Sequence, residues 1–209
     1  LARNDSNSVG LVGAGRIGGL ILYVISQWFP DIDTYRVFDL DRNRAEAFAT
    51  HMKKFDVNVE LTDTFEEALA PSDITVAATT AEQAYIPPEC FKPGSVFMNV
   101  SLMDPTFEFV QLADKIVVDD WKQCIHSDRV LARMHKQGML TRENLHAEFG
   151  EIVNGDRPGR ENDEERIFWN PFGLAIEDLA VAMAVYRAAQ SLGVGRTVEL
   201  VDSEWDVLF

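Results

Sequence analysis

A glycine-rich turn near the start of the chain constrains the fold more than any other feature. The segment VGLVGAGRIG, residues 9–18, follows an apolar run typical of a buried strand and opens an amphipathic stretch typical of a helix. In this pattern Gly13 permits a tight turn, Gly15 lets the backbone approach a diphosphate, and Gly18 lets the helix pack closely on the strand. The pattern favours a dinucleotide-binding turn over a glycine-rich turn without a ligand.

The amides at the start of the predicted helix would hold the diphosphate, because the helix dipole is positive there. The predicted contacts are Gly13, Ala14, Gly15, Arg16, Ile17 and Gly18. Asp39 follows the second apolar run, where a carboxylate would accept hydrogen bonds from ribose hydroxyls and repel a 2′-phosphate, which favours NAD over NADP. Arg42 and Arg44 could soften that preference or belong to a solvated helix start, and Asp41 is predicted to be a helix N-cap.

Short apolar runs and amphipathic stretches alternate through the first 120 residues. Strands are predicted at 9–12, 35–40, 57–61, 74–78, 95–100 and 115–118, with helices at 17–29, 44–55, 65–69 and 106–112. Strands that are apolar throughout and interleaved with helices indicate a parallel sheet covered on both faces. The right-handed crossover rule then predicts a doubly wound α/β domain of the Rossmann type.

The pattern changes after Trp121. Helices are predicted at 128–136, 145–153 and 176–192, a polar stretch at 154–165, an edge strand at 167–169 and a last strand at 198–201. We expect a cofactor-binding domain over 1–175, with 176–209 packing back on the sheet or on a preceding domain absent from this sequence. The opening residues lack Met and an apolar leader, which suggests a chain cut at a domain edge.

Composition excludes several classes of function. The chain of 209 residues is 46% apolar, which argues for a folded core, and its formal net charge of −15 argues against nucleic-acid or anionic-membrane binding. No apolar run reaches the roughly eighteen residues of a membrane-spanning helix. Neither the two cysteines nor His126, His135 and His146 have metal-ligand spacing, so no metal site is predicted and a reduced, cytoplasmic protein is expected.

Polar side chains follow the fourth and fifth predicted strands. Thr79 and Thr80 would line the cofactor crevice or cap a helix, and Asn99 and Ser101 would bind a carboxamide or simply end their strand. Asp104, shielded by apolar neighbours, would move protons at the reacting centre or cap the short helix after it. The residues alone leave each of these alternatives open.

Three segments resemble the ornithine cyclodeaminase/μ-crystallin family: VGLVGAGRIG, NVSLMDP at 99–105 and FWNPFGLAIEDLAVA at 168–182. The resemblance extends from residue 9 to about residue 201. Within the family, residues 145–178 are similar to the branch that oxidises N-(2-amino-2-carboxyethyl)-L-glutamate for siderophore or antibiotic biosynthesis. NVSLMDP differs from the glycine-rich form common in cyclodeaminases, which makes ornithine cyclisation a weaker expectation.

The resemblance implies an NAD-dependent dehydrogenase that leaves an imine, which water hydrolyses to 2,3-diaminopropionate and 2-oxoglutarate. It assigns the catalytic role to Asp104, places Asn170 and Pro171 beside the nicotinamide, and implies a homodimer acting on a small amino-dicarboxylate. The family's substrate-carboxylate ligands precede the dinucleotide fold, so none of the present residues can be assigned to them. Ornithine cyclodeaminase, ketimine reductase and a non-catalytic NAD-binding module remain the alternatives.

Overall fold

An eight-stranded parallel sheet forms the centre of the unit Leu1–Phe172 in a computed structural model that describes residues 1–198. The strand order is β3-β2-β1-β4-β5-β8-β6-β7, and every pairing is parallel. The strands are β1 Ser8–Val12, β2 Thr34–Phe38, β3 Val59–Leu61, β4 Ile74–Ala77, β5 Val96–Asn99, β6 Lys115–Val118, β7 Ala147–Glu148 and β8 Ile167–Asn170. The predicted doubly wound α/β fold is confirmed.

Seven α-helices belong to the described part of this unit. They are α1 Arg16–Trp28, α2 Arg42–Met52, α3 Phe65–Leu69, α4 Phe107–Gln111, α5 Trp121–Ile125, α6 Val130–Lys136 and α7 Phe149–Val153, with 3-10 turns at Lys53–Phe55, Pro88–Cys90 and Arg142–Asn144. The second unit begins at Gly173 and contains α8, Ala175–Leu192, which ends at Gly193 in the left-handed conformation that favours glycine.

Two predicted elements are corrected by the structure, and a third is not tested by it. The strand at 167–169 does not lie at an edge, because β8 pairs with β5 on one side and β6 on the other. The burial of β8 explains its central position, because Phe168 is fully buried and β8 has a paired strand on each side. The helix predicted at 145–153 begins instead with the short strand β7, and the strand predicted at 198–201 lies almost entirely outside the described residues.

An aromatic cluster holds the middle of the sheet together. Phe97 of β5 and Phe168 of β8 stack at 5.7 Å, and Phe109 of α4 packs edge-on against Phe97 at 4.6 Å. Phe91 stacks on Phe109 at 4.4 Å. Aromatic pairs of this kind add about 1 kcal/mol each beyond the area that they bury. The cluster therefore fixes the carboxyl ends of β5 and β8 side by side, where the polar residues of the site follow.

A buried carboxylate fastens the opposite, amino end of the sheet. Asp73 accepts hydrogen bonds from Lys92 Nζ at 2.6 Å, Ser8 Oγ at 2.9 Å and Arg3 Nη2 at 3.0 Å. Burial by itself raises the pKa of Asp73, but the hydrogen bonds from Lys92, the Asn7 amide and Ser8 outweigh it and lower the pKa to about 2. The native fold therefore favours the ionised form of this carboxyl.

We expect acid to remove the stabilisation that Asp73 provides. Its pKa in the folded chain lies below the ordinary 3.8, so the contribution is complete above about pH 4 and is lost as the pH falls through about 2. The shift corresponds to about 2 kcal/mol. Urea unfolding between pH 5 and pH 2 measures it, and Asp73→Asn is expected to flatten the slope over that interval. An equally steep slope in Asp73→Asn would assign the acid sensitivity to other groups.

Candidate functional site

Two glycines of the turn are required by the fold itself. Gly13 has φ +99°, and a Cβ added there would lie 2.4 Å from the carbonyl oxygen of Ala78. A Cβ on Gly18 would lie 2.6 Å from the carbonyl oxygen of Gly13, because α1 crosses closely over the turn. The steric roles predicted for Gly13 and Gly18 are confirmed, whereas their contact with a diphosphate stays a prediction.

Gly15 differs from these two glycines, because a Cβ added to it would meet nothing within 4 Å. It is the N-cap residue of α1 in an ordinary extended conformation, and no side chain caps the helix. The first turn of α1 carries no acid, and Arg16 and Ile17 are exposed. The start of this helix thus presents amides, a positive dipole and open space, which is the arrangement that binds an anion.

Asp39 links the end of β2 to the glycine turn. Its Oδ2 accepts a hydrogen bond from the Ala14 amide at 2.8 Å, and its Oδ1 accepts one from the Asp41 amide at 2.9 Å. Asp41 caps α2 by accepting from the amides of Asn43 and Arg44, as predicted. The carboxylate of Asp39 is therefore held beside the turn, in the position that a ribose would require.

The two arginines after Asp39 belong to the start of α2. Arg42 forms ion pairs with Glu46 at 3.5 Å and Asp63 at 3.3 Å. Arg44 is exposed and supplies one of the amides that Asp41 caps. The sequence left two alternatives open for these arginines, and the contacts of Arg42 favour the solvated helix start.

Two asparagines meet at the carboxyl ends of β5 and β8. Asn99 Nδ2 donates to Asn170 Oδ1 at 2.7 Å, and Asn170 Nδ2 lies 3.9 Å from Cys124 Sγ. Asn99 is fully buried, yet its Oδ1 has no hydrogen-bond partner among residues 1–198. An unpartnered buried carbonyl oxygen is costly, so this atom is suited to accept a donor from a bound molecule. Pro171 follows Asn170 directly and is partly buried.

Asp104 is enclosed completely by the residues around it, with no exposed surface. Its Oδ1 accepts hydrogen bonds from the hydroxyls of Thr79 and Tyr85, the latter at 3.0 Å, and its Oδ2 accepts from the hydroxyl of Ser101. The alternative that Asp104 or Thr79 caps a helix is wrong. Thr106, not Asp104, caps α4, and no helix begins at Thr79. The structure therefore brings three sequence-distant hydroxyls onto one buried carboxylate.

Tyr85 is the member of this cluster that sequence reasoning missed. Its backbone amide donates to the carbonyl oxygen of Asp104 at 2.8 Å, and its ring packs edge-on against Phe65 at 5.0 Å. Burial, and then the charge of Asp104, raises the pKa of Tyr85, so the phenol stays protonated and donates. The sequence offers little signal for it, because residues 79–85 have no helical or strand period.

The other candidates fall outside this cluster. Thr80 is exposed. Burial, more than the acids nearby, raises the pKa of Cys90 to about 11 and of Cys124 to about 12, so both thiols are inert at neutral pH. His126, His135 and His146 each lie within hydrogen-bond distance of a backbone carbonyl, at 2.5 to 2.8 Å. Within residues 1–198, no three His, Cys, Asp or Glu side chains are grouped to hold a metal ion.

A helix long and apolar enough to cross a membrane was sought among the described residues, and none was found. The longest, α8, begins with an acidic first turn at Glu177 and Asp178.

The parallel strand order and the glycine turn at the end of β1 define a Rossmann-type α/β domain. The sequence model of the Ornithine cyclodeaminase/mu-crystallin family matches residues 1–193, and the chain belongs to that family. It is 33% identical over 96% of its length to N-((2S)-2-amino-2-carboxyethyl)-L-glutamate dehydrogenase of Staphylococcus aureus. The aligned part is 60% of that relative, so the chain spans less than two thirds of its length.

Solved structures agree with this assignment. The Δ(1)-pyrroline-2-carboxylate reductase of Thermococcus litoralis, in complex with NADH and L-proline, superposes with a TM-score of 0.86 at 32% identity. The superposition covers 95% of this chain and 62% of the reductase. An archaeal alanine dehydrogenase dimer with bound NAD gives a TM-score of 0.85 at 28% identity, over 96% of this chain and 63% of that one.

Proposed function

We propose that the chain is the NAD-binding and proton-transfer part of an oxidoreductase that acts on the C–N bond of an amino-acid conjugate. The observation that carries the proposal is that the open turn at Gly15 and the buried carboxylate of Asp104 follow the carboxyl ends of β1 and β5, two strands of one parallel sheet with only β4 between them. In open α/β sheets this edge is where dinucleotides and their substrates bind. The bound NAD and NADH named for two similar structures support the same conclusion.

The residues present fit such a cofactor. Open space at Gly15 would admit a diphosphate against the amides of α1, and the partnerless Asn99 Oδ1 would accept a hydrogen bond from a carboxamide. The residues proposed to hold the cofactor are Gly13, Ala14, Gly15, Arg16, Ile17, Gly18, Asp39, Thr79, Thr80, Asn99, Ser101, Asn170 and Pro171. When bound, NAD supplies a hydride acceptor.

The finer proposal concerns the substrate. The similarity to the Staphylococcus aureus enzyme supports N-(2-amino-2-carboxyethyl)-L-glutamate, a small amino-dicarboxylate, whose oxidation leaves an imine that water converts to 2,3-diaminopropionate and 2-oxoglutarate. Asp104 would receive the proton that the attacking water gives up, and its complete burial keeps bulk solvent away from that transfer. A homodimer is part of the proposal, supported by the archaeal alanine dehydrogenase dimer. A cytoplasmic location is proposed with it.

The test is an assay of the full-length protein with NAD and N-(2-amino-2-carboxyethyl)-L-glutamate. We expect NADH to accumulate in step with 2-oxoglutarate, one for one. Ornithine consumption without net NADH would support a redox-neutral cyclodeaminase instead. NADH consumption with Δ(1)-pyrroline-2-carboxylate would support the reductase activity named for other relatives. Binding of NADH without turnover of any of these would reduce the proposal to a binding module.

Asp39→Ala is expected to weaken NADH binding at least tenfold and to reduce the preference for NADH over NADPH. The substitution removes the carboxylate that would bind ribose hydroxyls and repel a 2′-phosphate, and it frees the Ala14 amide. Fluorescence titration with each cofactor measures both effects. Asp41→Ala is the matched control, since it removes only the cap of α2, which costs about 1 kcal/mol of stability. Equal losses of affinity in the two variants would contradict the role of Asp39.

A further inference from the structure

The enclosure of Asp104 has a consequence for how protons reach it. A side chain with no exposed surface cannot itself touch a substrate or a reacting water. We propose that the hydroxyl of Ser101 carries the proton between Asp104 Oδ2 and the reacting water. This inference rests on the proposed function and deepens it, because it makes Ser101 the group that contacts the reacting atoms and Asp104 the group that acts through it.

The two oxygens of Asp104 have different surroundings. Oδ1 accepts from both Thr79 and Tyr85, which uses its two lone pairs, whereas Oδ2 accepts from Ser101 and keeps a second lone pair. Within the described chain, no other donor to Oδ2 is observed. Oδ2 is therefore the oxygen with capacity to take up a proton, and Ser101 is the hydroxyl in contact with it.

The three hydroxyls are not equivalent as relays. A relay must donate to the carboxylate while it accepts from the reacting molecule. Thr79 Oγ1 already accepts from the Ala81 amide at 3.0 Å, and the ring of Tyr85 is packed against Phe65. All three residues are partly buried, but Ser101 Oγ donates to Asp104 and has no second partner among residues 1–198. Its two acceptor lone pairs are thus available to a water or a substrate.

The backbone around the pair is held from both sides. Leu102 adopts φ +70°, a left-handed conformation that is strained for a branched side chain, and its carbonyl oxygen accepts from the Val130 amide at 3.0 Å. The carbonyl oxygen of Asp104 accepts from the amides of Tyr85 and Ile86 at 2.8 and 2.9 Å. Strain that the surrounding contacts maintain is typical of functional sites, and here it fixes Ser101 against Asp104.

The proton balance of the relay is complete. Oxidation of the secondary amine leaves an iminium; the water oxygen bonds to its carbon, and the C=N π pair moves to nitrogen. One water proton passes to Ser101 Oγ as the Ser101 proton passes to Asp104 Oδ2. The reverse transfer then protonates the amine nitrogen, the C–N bond breaks with its electron pair on nitrogen, and the remaining hydroxyl proton leaves to solvent as the C=O bond forms.

The kinetic test compares three variants of the full-length protein. Ser101→Ala is expected to lower kcat about 100-fold and to flatten the acidic limb of the pH–rate profile. Ser101→Thr restores a hydroxyl and is expected to recover at least tenfold of that loss. Tyr85→Phe removes a donor from Oδ1 and is expected to cost less than tenfold with the pH profile kept. Equal losses in Ser101→Ala and Tyr85→Phe, or no recovery in Ser101→Thr, would overturn the relay.

A second measurement does not depend on turnover. In a crystal structure of Ser101→Gly we expect an ordered water within hydrogen-bond distance of Asp104 Oδ2, since the proposal places the Ser101 side chain between that oxygen and solvent. Tyr85→Phe is expected to show no such water at Oδ1. The absence of an ordered water at Asp104 Oδ2 in Ser101→Gly would overturn the relay even if the wild type is active. A wild type that binds NADH but turns over no substrate would overturn the proposed function alone, and this structure would still decide the position of Ser101.

Discussion

Replacing Gly15 by valine is expected to weaken NADH binding at least 100-fold while the protein stays folded. A Cβ at this position meets nothing within 4 Å in the structure, so the new side chain enters the space in front of α1 without a clash. That space is where a diphosphate would lie against the helix amides. The backbone of Gly15 is extended, so valine is not strained there, and the poorer N-cap costs only about 1 kcal/mol.

Gly13→Ala provides the contrasting control for this prediction. A Cβ on Gly13 lies 2.4 Å from the carbonyl oxygen of Ala78 at φ +99°, so the backbone itself must move. We expect Gly13→Ala to lower the thermal midpoint by more than 10 °C, whereas Gly15→Val lowers it by a few degrees, about what 1 kcal/mol costs in a domain of this size. Fluorescence titration with NADH and calorimetry separate the two. Gly15→Val protein that binds NADH within threefold of the wild type would remove the turn from the cofactor site.

The parts of the fold that follow from local patterns were predictable from the sequence. The helix at Phe65–Leu69 and the strand at Lys115–Val118 have the predicted bounds, and the strand before the glycine turn extends by one residue to Ser8. In these segments an apolar run or an N-cap such as Thr64 decides the structure within a few residues. The distinct roles of Gly13 and Gly18 were predictable for the same reason, since a turn between a strand and a helix is a local problem.

The parts that depend on distant partners were not predictable. The place of β8 between β5 and β6 depends on burying Phe168 against Phe97, which is paired with it across the two strands. The same pairing brings together Asn99 and Asn170, which are 71 residues apart in the chain. Lys115 is a charged residue that is 6% exposed, because Glu161 and Glu165 from the polar stretch 154–165 lie 2.7 and 3.0 Å from its Nζ. Neither pairing leaves a periodic signal in the chain.

The cluster around Asp104 shows the same limit within the site. The sequence placed Thr79, Ser101 and Asp104 at strand ends, but it left Thr79 and Asp104 with a helix-capping alternative and Ser101 with the alternative of simply ending its strand. Tyr85 entered only through tertiary structure, by the bridge between Ile86 and Pro105 that brings its hydroxyl onto Oδ1. Local sequence patterns predict which polar residues lie at a sheet edge. The hydrogen-bond partners of those residues depend on how separate loops meet in the fold.

Asp104→Asn is expected to lower turnover by about 10² to 10⁴-fold and the free energy of unfolding by about 1–3 kcal/mol. The amide replaces one acceptor oxygen by an NH2 group, which then faces a hydroxyl that donates to it in the wild type. At least one of the three hydroxyls must turn away or lose its partner in a buried site, and no proton can be taken up by the amide. Steady-state kinetics and urea unfolding measure the two effects separately.

The affinity for NADH distinguishes a local effect of Asp104→Asn from general unfolding. Because Asp104 is fully buried and does not line the glycine turn, we expect the dissociation constant for NADH to change less than threefold. Glu108 is an exposed acid four residues further along the chain, and Glu108→Gln is the matched control. We expect it to change turnover by less than twofold and the free energy of unfolding by less than about 0.5 kcal/mol, as is typical of surface changes. Full turnover in Asp104→Asn would leave the buried carboxylate a purely structural role, in which its three hydroxyl partners serve only to hold the β4 and β5 loops together.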